Sequence, residues 1–187
     1  NTVIDPFIRH GYKIISYPIE STLNVNVEKF REILAETDAQ VVLVHRYFGF
    51  NTLSDFEKII DEFSPKGVIF IEDKTQSFYS SFDSLPVDYI IGSLRKWAAL
   101  PDGGVAVCKT GIFMNKPVDA DRKLERLKLE ASHAKYEYLR KKTGKKEHFL
   151  DLFSKAEQQL DSEDSYFKIS PASEAIQQNL DLSILKK

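Results

Sequence analysis

Two hydrophobic periodicities alternate along the first part of the chain. Short runs of β-branched and aromatic residues read as strands at Tyr12 to Tyr17, Gln40 to His45, Gly67 to Ile71, Val87 to Ile91 and Gly104 to Cys108. Between them the apolar positions fall at helical spacing. Val27, Phe30, Ile33 and Leu34 share a face over Val27 to Ala35, behind Asn26, whose side chain suits an N-cap. Leu53, Phe56, Ile59, Ile60 and Phe63 repeat the device, and Pro65 with Gly67 ends that helix. Strands separated by crossover helices predict an α/β fold with a mostly parallel sheet over Asn1 to Lys109, its topology restricted by right-handed crossovers. The runs VVLVH and VIFIE are almost continuously apolar. They predict strands covered on both faces.

From about Pro117 the pattern becomes long, charged and helix-forming. Leu124, Leu127, Ala131, Ala134 and Tyr138 trace one stripe, TGKK marks a break, and Phe149, Leu152, Phe153, Ala156 and Leu160 trace another. The tail ISPASEAIQQNLDL reads as a further turn and helix. The expected division is a sheet domain over 1–116 and a helical segment over 117–187. Because the chain opens on Asn1 and enters a structured pattern at once, it is expected to be a piece of a longer polypeptide.

The 187 residues are 42% hydrophobic, enough for a real core, and a net charge of −2 supplies no bulk attraction for nucleic acid or an anionic membrane. The cluster Arg140, Lys141, Lys142, Lys145 and Lys146 has nearby acids and no interleaved aromatics, so it reads as a solvated helix end. The single cysteine, Cys108, excludes an intramolecular disulfide framework and a multi-thiolate metal site, and its strand position reads as core. The four histidines lack metal-ligand spacing, so no metal is expected. No apolar run reaches the roughly 18 residues a membrane span needs, and no signal peptide is visible, which leads to an expectation of a cytoplasmic protein.

Ligands of open parallel sheets sit outside the carboxyl ends of the strands, and this filter selects His45, Asp73, Gln76, Ser93, Arg95 and Lys96. Asp73 directly follows the most hydrophobic strand, where it is either a helix cap or turn residue, or a carboxylate near the core that needs a cationic partner. Glu72 points the other way by strand alternation, so the two acids are not a paired acid/base device. Lys96 stands among Leu94, Trp97 and Ala98, where a lysine either snorkels to solvent or is desolvated into a free, nucleophilic amine. A carboxylate at one strand end, a hydrogen-bonding residue three positions on, and Ser-x-x-Lys after the next strand form the set a pyridoxal phosphate site requires. In such a site the carboxylate binds the ring N–H, the lysine forms the Schiff base, and the serine can donate to the phosphate.

Three blocks, VVLVHRYFGF, IEDKTQSF and SLRKWAALPDGGVAV, resemble in the same order the central blocks of the DegT/DnrJ/EryC1/StrS aminotransferases. The resemblance covers about Asn1 to Lys109. It implies the three-layer, mostly parallel sheet of the pyridoxal phosphate fold-type-I large domain, incomplete here, followed by long helices leading toward a small C-terminal domain. It further implies that Lys96 is the Schiff-base lysine, Asp73 pairs with the pyridine nitrogen, and Gln76 lies near the ring or its 3-oxygen. Ser93 would touch the phosphate and His45 would line the pocket beside the ring. Asp102, Gly103 and Gly104 would form the turn that returns the chain to the sheet. Ile91 and Trp97 stand where many members carry serine and asparagine, and the family's N-terminal phosphate cradle is not in this sequence.

The resemblance implies an aminotransferase acting on an amino donor and a keto acceptor, a sugar among the options, and working as a homodimer. The chain alone is expected to be inactive. Lyase or decarboxylase chemistry on the same cofactor, and a non-catalytic α/β interaction module, remain alternatives.

Overall fold

A computed structural model describes residues 3–162, 165–181 and 183. Asn1, at the start of the sheet pattern, and Leu182, at the end of the tail pattern, lie outside the described residues.

The core forms where the two predicted helices meet the sheet. Asn26 caps α2 (Val27–Glu36) by accepting the Lys29 N–H, and α2 buries Phe30 and Leu34. The second helix, α3 (Glu57–Phe63), buries Ile59, Ile60 and Phe63. It begins later than its apolar stripe predicts. Asp55 adopts φ 64°, which breaks the helix, while Leu53 and Phe56 reach the core from the turn before it. These residues close over Val42, Val44, Phe70 and Ile90 of the sheet. Phe56 stands edge-on to both Phe30 and Phe70.

Four strands are hydrogen-bonded in chain order: β1 (Val41–His45), β2 (Ile69–Asp73), β3 (Tyr89–Ser93) and β4 (Gly104–Cys108). The first three are parallel and β4 returns antiparallel to β3. The structure is thus an α/β fold around an open, mostly parallel mixed sheet. β2 and β3 each run two residues further than the sequence suggests, so Asp73 and Ser93 end their strands instead of following them.

Two expectations change. Tyr12 to Tyr17 is not a strand: it runs exposed and unpaired across a groove of about 1270 Å³ from β1 and α2. Only Tyr17 turns inward, edge-on to Phe30 with ring centroids 4.7 Å apart, and burial pushes its hydroxyl up to about 12. The consecutive Ile14 and Ile15 cannot both occupy one face of a strand, and both stay exposed. Nor are β1 and β2 enclosed equally on both sides. Val42, Val44, Phe70 and Glu72 are buried under α2 and α3, whereas Val41, Leu43 and Ile71 on the other face keep part of their surface and Ile69 is 40% exposed. The apolar runs therefore conceal an alternation in burial.

After β4 the chain enters α4 (Arg122–Tyr136), a π-helical turn over Glu137–Lys141, α5 (Lys146–Asp161) and α6 (Pro171–Gln178). A short α1 (Asp5–Arg9) precedes all of these. The break at TGKK holds left-handed Gly144 and follows directly on left-handed Lys142. The basic cluster beside it is exposed. Cys108 is not a core residue: β4 is an outer strand, which leaves the thiol half-buried against Tyr89. Asp121 caps α4, and Ser170 caps α6 while hydrogen-bonding the Asp102 carboxylate, which joins the helical segment to the DGG turn.

Candidate active site

Register brings three of the expected residues to one face at one edge. His45 pairs with Asp73 across β1 and β2, and Asp73 pairs with Ile91 across β2 and β3. Ser93 is two residues beyond Ile91, on the same face. This is the face opposite α2 and α3, at the carboxyl end of the parallel strands.

Asp73 is 2% exposed and engaged on both oxygens. Its Oδ2 receives His45 Nδ1 at 3.1 Å, and its Oδ1 receives the Thr75 N–H at 2.8 Å. Burial works to raise the carboxyl pKa, but the bonds from His45 and from the hydroxyl and N–H of Thr75 together outweigh it. The group is held below the usual carboxylate range and stays charged. Tyr47 braces the imidazole edge-on, with centroids 4.7 Å apart.

Thr75 continues the chain of contacts. Its hydroxyl oxygen accepts the Ser93 N–H at 3.1 Å, and its carbonyl accepts the Trp97 indole N–H at 2.7 Å. Lys96 closes a 3-10 turn over Leu94–Lys96, between Ser93 and Trp97, with an exposed side chain. No direct bond joins Lys96 to Asp73 among the described residues; the connection runs through Thr75. Gln76 turns toward a different partner, its side-chain oxygen accepting the Phe48 N–H at 3.2 Å and tying together the loops after β1 and β2. Phe48 itself is left-handed at φ 52° and exposed. Gly103, at φ 124°, provides the backbone geometry by which the DGG turn re-enters the sheet.

The other face carries a network that sequence reasoning did not find. Glu72 is fully buried and accepts from Arg46 Nε at 3.1 Å and from the Leu85 N–H at 2.9 Å. Arg46 also donates to Asn51 Oδ1 at 3.0 Å. A recoverable signal was present: two adjacent acids on an apolar strand each need a cation or donor, and His45 and Arg46 are the adjacent pair that ends the preceding strand. Lys74 is buried beside this network, donating to Ser84 Oγ at 3.2 Å, and burial lowers its ammonium pKa.

No family model matches the chain, and no curated protein matches it. No group of three or more His, Cys, Asp or Glu among the described residues could hold a metal ion. No helix among them is long and apolar enough to cross a membrane.

Proposed function

We propose that the chain carries the cofactor site of a pyridoxal phosphate-dependent, fold-type-I aminotransferase, with Lys96 as covalent anchor and proton carrier. The observation that carries this reading is Asp73, a carboxylate held ionised in a nearly dry position at the carboxyl edge of the sheet. A negative charge maintained there suits a protonated heteroaromatic nitrogen.

The donor set fits that cofactor. With three donors on it, the Asp73 carboxylate retains one further lone pair for a ring N–H. Lys96 offers an exposed amine on the turn after the neighbouring strand. Ser93 ends β3 just before that turn, with a hydroxyl suited to a phosphate oxygen. When bound, pyridoxal phosphate supplies an aldehyde that condenses with amines and a ring that withdraws electrons from the carbon being deprotonated.

The protein residues then divide the work. Lys96 Nζ would be the amine that holds the cofactor through its aldehyde carbon. The same Nζ would take and return the proton at the substrate α-carbon. Asp73 balances the positive charge on the ring nitrogen, and His45 with Thr75 keeps that carboxylate oriented and ionised. The partly exposed face of Leu43, Ile71 and Ile91 supports a three-layer arrangement in which further chain covers this side. A homodimer in the cytoplasm completes the reading.

The test uses the full-length polypeptide mixed with pyridoxal phosphate and reduced with borohydride. Mass spectrometry should find the pyridoxyl group on Lys96, Lys96→Ala should abolish it, and an amino donor with a keto acceptor should yield the exchanged pair. Absence of label, or label undiminished in Lys96→Ala, overturns the proposal. Release of ammonia or carbon dioxide instead of an exchanged pair assigns the site to lyase or decarboxylase chemistry.

A further inference from the structure

We infer that Thr75 is a positioning residue, fixing the Asp73 carboxylate relative to the turn that carries Lys96, with Trp97 as its second arm. The inference rests on the roles given to Asp73 and Lys96 above. Thr75 makes four connections within one residue. Its N–H holds Asp73 Oδ1 at 2.8 Å, and its hydroxyl also bonds that carboxylate. The same hydroxyl oxygen accepts the Ser93 N–H at 3.1 Å, and the carbonyl accepts Trp97 Nε1–H at 2.7 Å.

These contacts reach both sides of Lys96. Ser93 precedes the Leu94–Lys96 turn and Trp97 follows it, so the segment bearing the amine is secured to Thr75 at its beginning and its end. Trp97 is steadied in turn by Tyr79, edge-on with centroids 5.5 Å apart. The hydroxyl serves in two directions at once, donating to a carboxylate and accepting from an amide. Serine can reproduce both roles, and valine, of nearly the same shape, neither. Loss of the hydroxyl leaves the Ser93 N–H without its partner and removes one of the bonds that keep Asp73 charged. A displacement of about 1 Å between reacting groups costs on the order of a hundredfold in rate. A residue that sets the separation of acid and amine therefore acts on the chemistry without touching the reacting atoms.

The experiment compares wild type, Thr75→Val, Thr75→Ser and Trp97→Phe in the full-length polypeptide. Pyridoxal phosphate is titrated, trapped with borohydride, and the fraction of labelled Lys96 peptide is measured. In cofactor-free protein the Asp73 carboxyl is titrated by NMR, and urea midpoints report folding. Thr75→Val should need about tenfold or more pyridoxal phosphate for half-labelling of Lys96, and its Asp73 carboxyl should titrate at higher pH. Thr75→Ser should stay within about twofold of wild type, with Trp97→Phe between them. If Thr75→Val does not fold, weakened labelling in Trp97→Phe with wild-type labelling in Thr75→Ser sustains the inference. Wild-type labelling in both Thr75→Val and Trp97→Phe, or equal loss in Thr75→Ser and Thr75→Val, overturns it while leaving the cofactor assignment standing. Absence of label on wild-type Lys96 overturns both.

Discussion

Glu72 and Asp73 are neighbouring carboxylates that leave their strand on opposite faces, Glu72 to Arg46 Nε at 3.1 Å and Asp73 to His45 Nδ1 at 3.1 Å. The basic pair divides the same way as the acidic pair. On the covered side the ion pair has almost no solvent, since Glu72 is 0% and Arg46 3% exposed. Glu72→Ala should therefore cost about 3–5 kcal/mol in urea unfolding by stranding the guanidinium, and the double change Glu72→Leu, Arg46→Met should recover most of that loss.

On the open side the prediction concerns pH. The folded Asp73 carboxyl lies below its unfolded value, so the bonds to it stabilise fully above about pH 4 and that contribution is lost as pH falls through the folded value. His45→Leu removes one donor and raises the folded value. Urea midpoints followed from pH 7 to 3 should show the variant weaker than wild type at pH 5–7, with the gap closing toward pH 3. A gap that stays constant across that range would mean that the imidazole acts by packing alone.

Gly103 offers a backbone test near Lys96. At φ 124°, a Cβ there would stand 3.2 Å from Ile169 Cδ1. Gly103→Ala should cost about 1–3 kcal/mol by thermal unfolding, and Ile169→Ala in the same chain should not restore it, because trimming the neighbour leaves the left-handed strain in place.

Ser170 links the helical segment to that same turn. Its hydroxyl accepts the Ser173 N–H at 3.3 Å and donates to Asp102 Oδ1 at 3.0 Å, with both serines fully buried. Ser170→Ala should lower stability by about 1–2 kcal/mol through the lost cap. Limited trypsin digestion should also cut faster after Arg95 and Lys96, as the turn loses its outer tether.

The elements easiest to read from sequence were those whose local signals agreed. Asn26 followed by Val27, Phe30 and Leu34 supplies a cap and a stripe together, and α2 forms where both place it. The run Tyr12 to Tyr17 has strand propensity alone, and propensity did not decide its state without a paired neighbour. The candidate edge residues were visible because strand ends are visible, and register then set His45 against Asp73. Thr75 was not legible. Its importance comes from contacts to residues 18 and 22 positions away, and no periodicity encodes the meeting of two loops.

The order β1-β2-β3-β4 repeats the order of synthesis. Each strand's neighbour has already left the ribosome when that strand emerges, so pairing can advance from the N-terminal end without waiting for distant sequence. The imidazole of His45 and the carboxylate of Asp73 can thus be joined before β4 has emerged to close the far edge of the sheet.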